Sequence, residues 1–338
     1  MSGSNPSLVS VIIPAYNAEP FLSSTLVSAQ EQTYENIEII VVDDGSTDST
    51  ADIAIAAAAV DKRIRFIRQK NSGVAAARNR AIAESQGDFI APLDADDIWH
   101  RQNVALQVAA LEAAGPETAV SYAWFVTIDE RGRFRGVADR YKLCSRREVL
   151  ARQIQGNFIG NASSSLLRRD AVLAVGGYDG SFRPRNAEGC EDQALYIALA
   201  ERWNFTVVPE VLIAYRVHPN SMAQDGTRMA RSYTLLLADL RRRRPDLPGY
   251  WFGRALAQHH LNPLTSALKH RKWRNVMEIV ARAEQDGGWC LFDLLGRRLG
   301  PRIFNFSLKY SLSKLRPNSN SATPRATVDP FWPTENDD

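Results

Sequence analysis

The sequence predicts an α/β protein whose central sheet is mostly parallel. Three observations carry this. Short β-branched runs alternate with helical stretches over the first hundred residues. The runs are apolar almost throughout, as strands buried on both faces are. Three of the four are closed directly by Pro or Asp, residues that punctuate secondary structure. A βαβαβαβ order of this kind implies parallel strands joined by right-handed crossovers.

The elements follow in order. Residues 8–13 form a short apolar strand stopped by Pro14, and residues 21–30 a helix, with Phe21, Leu22, Thr25, Leu26 and Ala29 near helical spacing. Residues 37–42 are a β-branched strand broken only by Glu38. The turn Asp43-Asp44-Gly45-Ser46 ends it, and Asp48 or Ser49 can cap the Ala-rich helix that runs to Val60. Residues 64–67 are a third strand, 74–84 a third helix, and 89–93 a fourth strand that enters an acidic cluster. Ligands of such sheets bind outside the carboxyl ends of the strands. The segments 14–17, 43–46 and 94–97 should therefore share one rim.

The middle of the chain is less regular. Strands are expected at 119–128, 163–167, 205–208 and 211–217, a turn at 129–132, and a glycine-rich loop at 176–180. Ser145-Arg-Arg-Glu148 is a capping box that opens a short helix, and 191–203 is a longer helix. From about Ser232 the pattern turns helical and basic, and from Pro317 Pro, Asn, Ser and Thr dominate, a disordered composition. The expected organisation is an α/β domain over 1–225, a helical basic extension over 226–317 and a tail over 318–338.

Composition narrows the function classes. The 338 residues are 45% hydrophobic and 23% charged, which is ordinary for a globular protein and excludes collagen-like or disordered classes. The formal charge of +3 gives no reason to expect nucleic acid as a partner. The charge is unevenly spread, however. Residues 1–230 carry 23 basic and 28 acidic side chains, and residues 231–317 carry 17 basic and 6 acidic. A basic segment after an acidic body fits either an anionic surface, such as a membrane face, or a set of solvated helix faces. Three cysteines without C-x-x-C spacing argue against a disulfide framework or a cysteine zinc site and favour a reducing compartment. The N-terminus lacks a basic patch followed by an apolar run, and no apolar stretch approaches the roughly 18 residues of a membrane span. A cytoplasmic protein is expected, peripheral to a membrane at most.

The familiar phosphate-binding fingerprints are missing. The first strand–helix turn reads Pro14-Ala-Tyr16-Asn17, with neither G-x-G-x-x-G nor G-x-x-x-x-G-K-[ST]. The cluster Asp94-Ala-Asp96-Asp97 is more informative. Three carboxylates in four residues repel one another unless a hard cation such as Mg²⁺ or Mn²⁺ joins them, or unless they simply face a helix N-terminus. Asp43-Asp44 could accept hydrogen bonds from a ribose or base, or close an Asx-type turn. Glu191-Asp192 opens a helix, so the aspartate is either a cap or a general base aimed into a pocket. His218 follows a strand and is either structural or a metal ligand.

Together these pieces resemble the family 2 glycosyltransferases, the large inverting GT-A group. The matching segments are Val9-Ser-Val-Ile-Ile-Pro-Ala-Tyr-Asn17, Val41-Val-Asp-Asp-Gly-Ser-Thr-Asp48, Asn71-Ser-Gly-Val-Ala-Ala-Ala-Arg-Asn79, Leu93-Asp-Ala-Asp-Asp97, Gly176-Gly-Tyr-Asp179 and Cys190-Glu-Asp192. Six pieces in order, over about residues 7–220, are specific where each alone is weak. The resemblance implies a nucleotide-diphospho-sugar donor along the strand rim. Pro14, Tyr16, Asn17, Asp43 and Asp44 would line its base and ribose, and Arg78 would stand near the base or phosphates. Asp94 and Asp96 match the D-x-D motif, with Asp96 as the direct ligand of Mn²⁺ or Mg²⁺, Asp94 nearer the ribose, and His218 as a further ligand. Asp192 matches the catalytic base, with Glu191 positioning it. The acceptor would be a glycan or a lipid-linked molecule in surface polysaccharide or glycolipid assembly.

Three other readings compete. One is a transferase to polyprenyl phosphate, whose members commonly carry membrane spans. Another is a non-catalytic sugar-nucleotide binder, which would have no need to keep both the D-x-D and the Glu-Asp. The last is a two-carboxylate glycosidase, which leaves the Asp-Asp pair after the second strand unexplained.

Overall fold

The structure, a computed structural model, describes residues 6–138, 141–219, 221–222 and 226–256. Val9–Ala15 forms β1, Leu22–Gln30 α1, Ile37–Asp43 β2, Thr50–Val60 α2, Ile64–Arg68 β3, Val74–Glu84 α3 and Phe89–Pro92 β4. β1 pairs in parallel with β2 and with β4, and β2 pairs in parallel with β3. The periodicity of the first hundred residues therefore predicts both the elements and their direction. Every residue of β1 is buried. In β2 the exception is Glu38. Its carboxylate accepts from the Ser10 hydroxyl (2.7 Å) and the Gln86 N–H (2.6 Å) and lies 3.6 Å from Arg65. A charge inside a strand is tolerable when it is paired and hydrogen-bonded in this way. Of the two candidate caps of α2, Asp48 acts: Oδ1 accepts the Thr50 N–H at 3.0 Å, whereas Ser49 makes no capping bond.

The later elements are Ile98–Trp99 (β5), Asn103–Ala113 (α4), Thr118–Ile128 (β6), Phe134–Val137 (β7), Arg146–Gln155 (α5), Ser165–Arg168 (β8), Arg169–Ala174 (α6), Glu191–Ala200 (α7), Asn204–Arg216 (β9) and Gly226–Arg243 (α8). The strand order is β3-β2-β1-β4-β8-β6-β9-β5, with β7 on β6. β8 runs antiparallel to β4 and β6, and β9 runs parallel to β6. The sheet is thus parallel in its first half and mixed in its second.

Several elements differ from expectation. The two strands expected around Pro209 are one, β9. Its register against β6 jumps from Ala123↔Val208 to Trp124↔Val211, so Pro209 and Glu210 bulge out of the ladder. A bulge is where a strand accommodates a residue with no N–H. Strand β5, helix α4 and strand β7 have no counterpart in the sequence reading. Ser145 caps α5 as expected: its hydroxyl accepts the Glu148 N–H and donates to the Glu148 carboxylate at 2.6 Å.

The chain divides into two compact units, the first running to Leu236 and containing the whole sheet, the second beginning at Leu237. In the second, Arg242 pairs with Asp239 (2.7 Å), Arg244 pairs with Asp246 (2.6 Å), and Arg241 stands 5.9 Å over the Phe252 ring. Much of the four-arginine run at 241–244 is therefore engaged within its own unit. No described helix is long and apolar enough to cross a membrane. The basic segment at 303–316, the rest of the extension to 317 and the tail at 318–338 lie outside the described residues.

Candidate active site

The parallel strands β1, β2 and β4 deliver their C-terminal ends to one edge of the sheet, where a cavity of about 570 Å³ opens. Pro14, Tyr16 and Asn17 line it from the exit of β1, Asp94 and Asp96 from the exit of β4, and Arg78 from α3. Glu191 and Asp192 reach it from the start of α7 and His218 from the end of β9. Nine of the eleven residues singled out in the sequence thus meet in one place, although they span more than two hundred positions.

Asp43 and Asp44 stand behind this cavity, not in its wall. Both are buried. Asp43 accepts the Ser46 N–H (3.0 Å) and lies 3.1 Å from the Arg68 guanidinium. Asp44 accepts the Gln69 side-chain amide and the Ser72 and Gly73 N–H groups, each at 2.8 Å. The pair therefore ties the end of β2 to the loop that starts α3. Gly45 between them and Ser46 has φ +79°, and a Cβ there would come within 2.9 Å of the Asn71 nitrogen, so the turn requires glycine. Asn17, itself at φ +48°, closes the other side: its N–H donates to the Ser46 hydroxyl and its Oδ1 accepts the Thr47 N–H. Tyr16 beside it is 53% exposed.

Arg78 is buried and pairs with Asp94 at 2.5 Å. Its guanidinium lies 5.0 Å over the ring of buried Tyr178. The adjacent Asn79 grips the Tyr178 backbone twice, accepting its N–H at 2.8 Å and donating to its carbonyl at 2.7 Å. The 71–79 and 176–179 segments thus form one unit that aims Arg78. Burial opposes its charge, but Asp94 and the neighbouring anionic groups outweigh burial and raise its pKa.

The three carboxylates of the acidic cluster have three fates. Asp97 is fully buried: Oδ1 accepts the Arg216 N–H (2.8 Å) and Oδ2 the Ser163 hydroxyl (2.6 Å), whose oxygen accepts the Asp94 N–H (3.0 Å). Burial and the nearby Asp96 and Asp94 push its pKa well up. Asp97 is the internal brace of the loop. Asp94 faces Arg78, and Asp96 faces His218, with Oδ2 3.0 Å from Nε2. Arg216 locks β9 to this loop by donating from Nε to the Asp96 carbonyl (2.7 Å) and from Nη1 to the Asp129 carbonyl (3.1 Å).

These residues fit a divalent cation. Two cis ligands of an octahedral ion bound at about 2.1 Å lie about 3 Å apart, which is the separation of Asp96 Oδ2 and His218 Nε2. Among the described residues no three His, Cys, Asp or Glu side chains converge tightly enough to hold an ion unaided. Such a site suits an ion that takes one or two protein ligands and completes its shell with substrate phosphates.

Glu191 and Asp192 form a different acidic pair. Glu191 is buried, and its carboxylate accepts the Gly189 N–H at 2.9 Å. Asp192 accepts the Gln193 N–H on Oδ1 (2.8 Å) and the Asn157 amide on Oδ2 (2.9 Å). Burial raises Glu191 to about 7 and Asp192 to about 6. Asn157 and Arg216 escaped the sequence reading, because an asparagine in a loop and an arginine at a strand end carry no local signal. Tyr178 stood in a quoted motif, but its place under Arg78 depends on contacts a hundred residues apart.

Residues 10–176 match the family model "Glycosyl transferase family 2"; Glu191, Asp192 and His218 lie beyond the match. EpsH of Bacillus subtilis (strain 168), described as a glycosyltransferase, is 33% identical over 221 residues, 64% of this chain and 62% of its own length. The chain thus spans less than two thirds of that relative, and smaller shares of the others compared. Two solved structures share the fold. TarS 1-349 of S. aureus in complex with UDP-GlcNAc has a TM-score of 0.55 at 15% identity, covering 83% of this chain and 92% of that one. The mannosyltransferase PcManGT from Pyrobaculum calidifontis, in complex with GDP-Man and Mn²⁺, has a TM-score of 0.59 at 20% identity, covering 89% and 81%. At these identities the likeness is one of fold, a GT-A-type α/β architecture. By that match, the segment 10–176 belongs to glycosyltransferase family 2.

Proposed function

We propose that the protein is an inverting glycosyltransferase that moves a sugar from a nucleotide-diphospho-sugar to an acceptor hydroxyl, in the assembly of a surface polysaccharide or glycolipid. The observation that carries this reading is the meeting of Asp192 with Arg78, Asp94 and Asp96 in one cavity. A half-buried carboxylate with its pKa raised to about 6 is suited to take a proton near neutral pH. Asp192 removes the acceptor hydroxyl proton as that oxygen attacks the anomeric carbon. The bond from that carbon to the diphosphate breaks, and its electron pair leaves on the phosphate oxygen. One displacement inverts the carbon and requires no enzyme nucleophile. Arg78 offsets negative charge on the donor side, and Tyr16 and Asn17 border the base. Asp44 serves the donor by holding the 69–73 loop. Asp96 and His218 would hold Mn²⁺ or Mg²⁺, which when bound neutralises charge on the leaving diphosphate. The acceptor, a glycan or a lipid-linked molecule, is met in the cytoplasm or at the inner face of the membrane.

Thermal stability measured with UDP-, GDP-, dTDP- and CMP-sugars, with and without Mn²⁺, tests the donor. A true donor raises the melting temperature by mass action, and the rise should need the metal and vanish in Asp96→Ala. No shift with any nucleotide sugar would overturn the reading. Full turnover in excess chelator would remove the metal from it.

A further inference from the structure

Asn157 lines the cavity next to Asp192, and its amide orientation is fixed by its neighbours. Oδ1 receives the Gly160 N–H at 3.2 Å and the Gln153 side-chain amide at 3.3 Å. The Gly160 N–H can only donate, so the oxygen of Asn157 must face it, and Nδ2 must face Asp192. Nδ2 lies 2.9 Å from Asp192 Oδ2. The loop that carries Asn157 is held at both ends by residues of special backbone. Gly156 has φ +150° and Gly160 φ +93°, and a Cβ on Gly160 would collide with the Phe125 ring at 2.3 Å. Helix α5 therefore ends at a fixed point. The other oxygen of Asp192 is occupied by the N–H of Gln193, so the carboxylate is gripped once on each oxygen.

We infer that Asn157 is a positioning residue for Asp192: its amide sets the carboxylate plane and holds it toward the cavity as an anion. This rests on the reading of Asp192 as the base. A neutral amide suits the task. It donates to the carboxylate without giving up a proton or pairing so strongly that the base is silenced, as a buried arginine would. A purely structural asparagine at the end of α5 would need only its contacts to Gly160 and Gln153 and would be indifferent to the charge on Asp192.

The test is the ionisation of Asp192 in the full chain, followed by ¹³C NMR of carboxyl-labelled aspartate, with Asp192→Asn identifying the resonance. Removing a donor to the anion favours the protonated form. In Asn157→Ala the pKa of Asp192 should rise by about half to one unit. In the isosteric Asn157→Asp, which sets a second carboxylate against the first, it should rise further. If Asn157→Ala does not fold, the isosteric variant gives the same readout. The acid limb of donor turnover, measured as donor hydrolysis where no acceptor is supplied, should move by the same amount while donor KM stays within about twofold. An unmoved Asp192 pKa in both variants would overturn the inference whatever happens to turnover. A moved pKa that turnover does not follow would uphold the contact and instead overturn Asp192 as the base.

Discussion

The acidic pair after β2 is buried and the acidic pair opening α7 is buried at Glu191 and half-buried at Asp192, and their surroundings treat them differently. Asp43 and Asp44 accept four hydrogen bonds between them, and Asp43 also faces Arg68. Their carboxylates are engaged inside the protein, where they hold a turn and the loop before α3. Glu191 and Asp192 have fewer donors, and burial, offset only in part by the Arg78 charge, raises their pKa values to about 7 and about 6. Two adjacent carboxylates thus form a brace in one place and, in the other, the pair proposed to take the acceptor proton. The difference lies in the donors around them, since the residue types are nearly the same. Burial that donors and counter-charges offset only in part raises a carboxylate pKa, and a raised pKa is what a proton acceptor near neutral pH needs.

The largest effect that would test this contrast is on turnover. Asp192→Asn should keep donor affinity while turnover falls roughly 10²–10⁴-fold. The same variant should gain stability, because the raised pKa means that folding favours the protonated acid. The penalty of the charged form is absent below the ordinary value of 3.8 and complete above about 6. Asp192→Asn should therefore be more stable than the parent at pH 7.5, by on the order of 1–3 kcal/mol, and no more stable near pH 4. Turnover of the parent should rise with pH through about 6 and then level off. Denaturant melts at the two pH values and a pH–rate profile check these points together. A loss of stability at pH 7.5 with normal turnover would make Asp192 a helix cap.

Asp44→Ala should show the reverse pattern. It strands the Ser72 and Gly73 N–H groups and the Gln69 amide, and should cost about 2–4 kcal/mol of stability, read as a lower melting temperature at every pH from 5 to 8. Donor binding should weaken with it, through the loop. Glu191→Gln should be milder still, because an amide oxygen can accept the Gly189 N–H in place of the carboxylate. Turnover is expected to fall by about tenfold or less, against the larger loss in Asp192→Asn. Arg68→Met should be the smallest change. Its partner Asp43 is buried, but the Arg68 side chain is 57% exposed, and such pairs contribute about 0–1 kcal/mol. A large loss there would mean that Asp43 depends on Arg68 more than on its turn.

The two halves of the sheet differed as much in legibility. From β1 to β4 each helix follows its strand and packs back on the sheet, so periodicity, turn residues and crossover handedness suffice. Beyond Asp94 the chain pairs strands far apart in sequence. β8 inserts between β4 and β6, and β9 runs beside β6 with two residues bulged out. Strand β5 is two residues long and exists because it lies against β9. No local pattern announces such a strand.

The sequence by itself determined the parallel half, the rim that its strand ends create, and the residue types suited to a cation and a proton acceptor. Those properties are local: a side chain's chemistry and the period of its neighbours. The tertiary structure decided which acid does what. Asp44 and Asp192 each stand in an acidic pair beside a secondary-structure boundary, and nothing in the adjacent residues separates them. Asp44 meets two backbone N–H groups and a glutamine amide from the next loop, whereas Asp192 meets Asn157 from thirty-five residues away. Solvent exclusion and donor count set the charge state of a carboxylate, and both are properties of the packed chain.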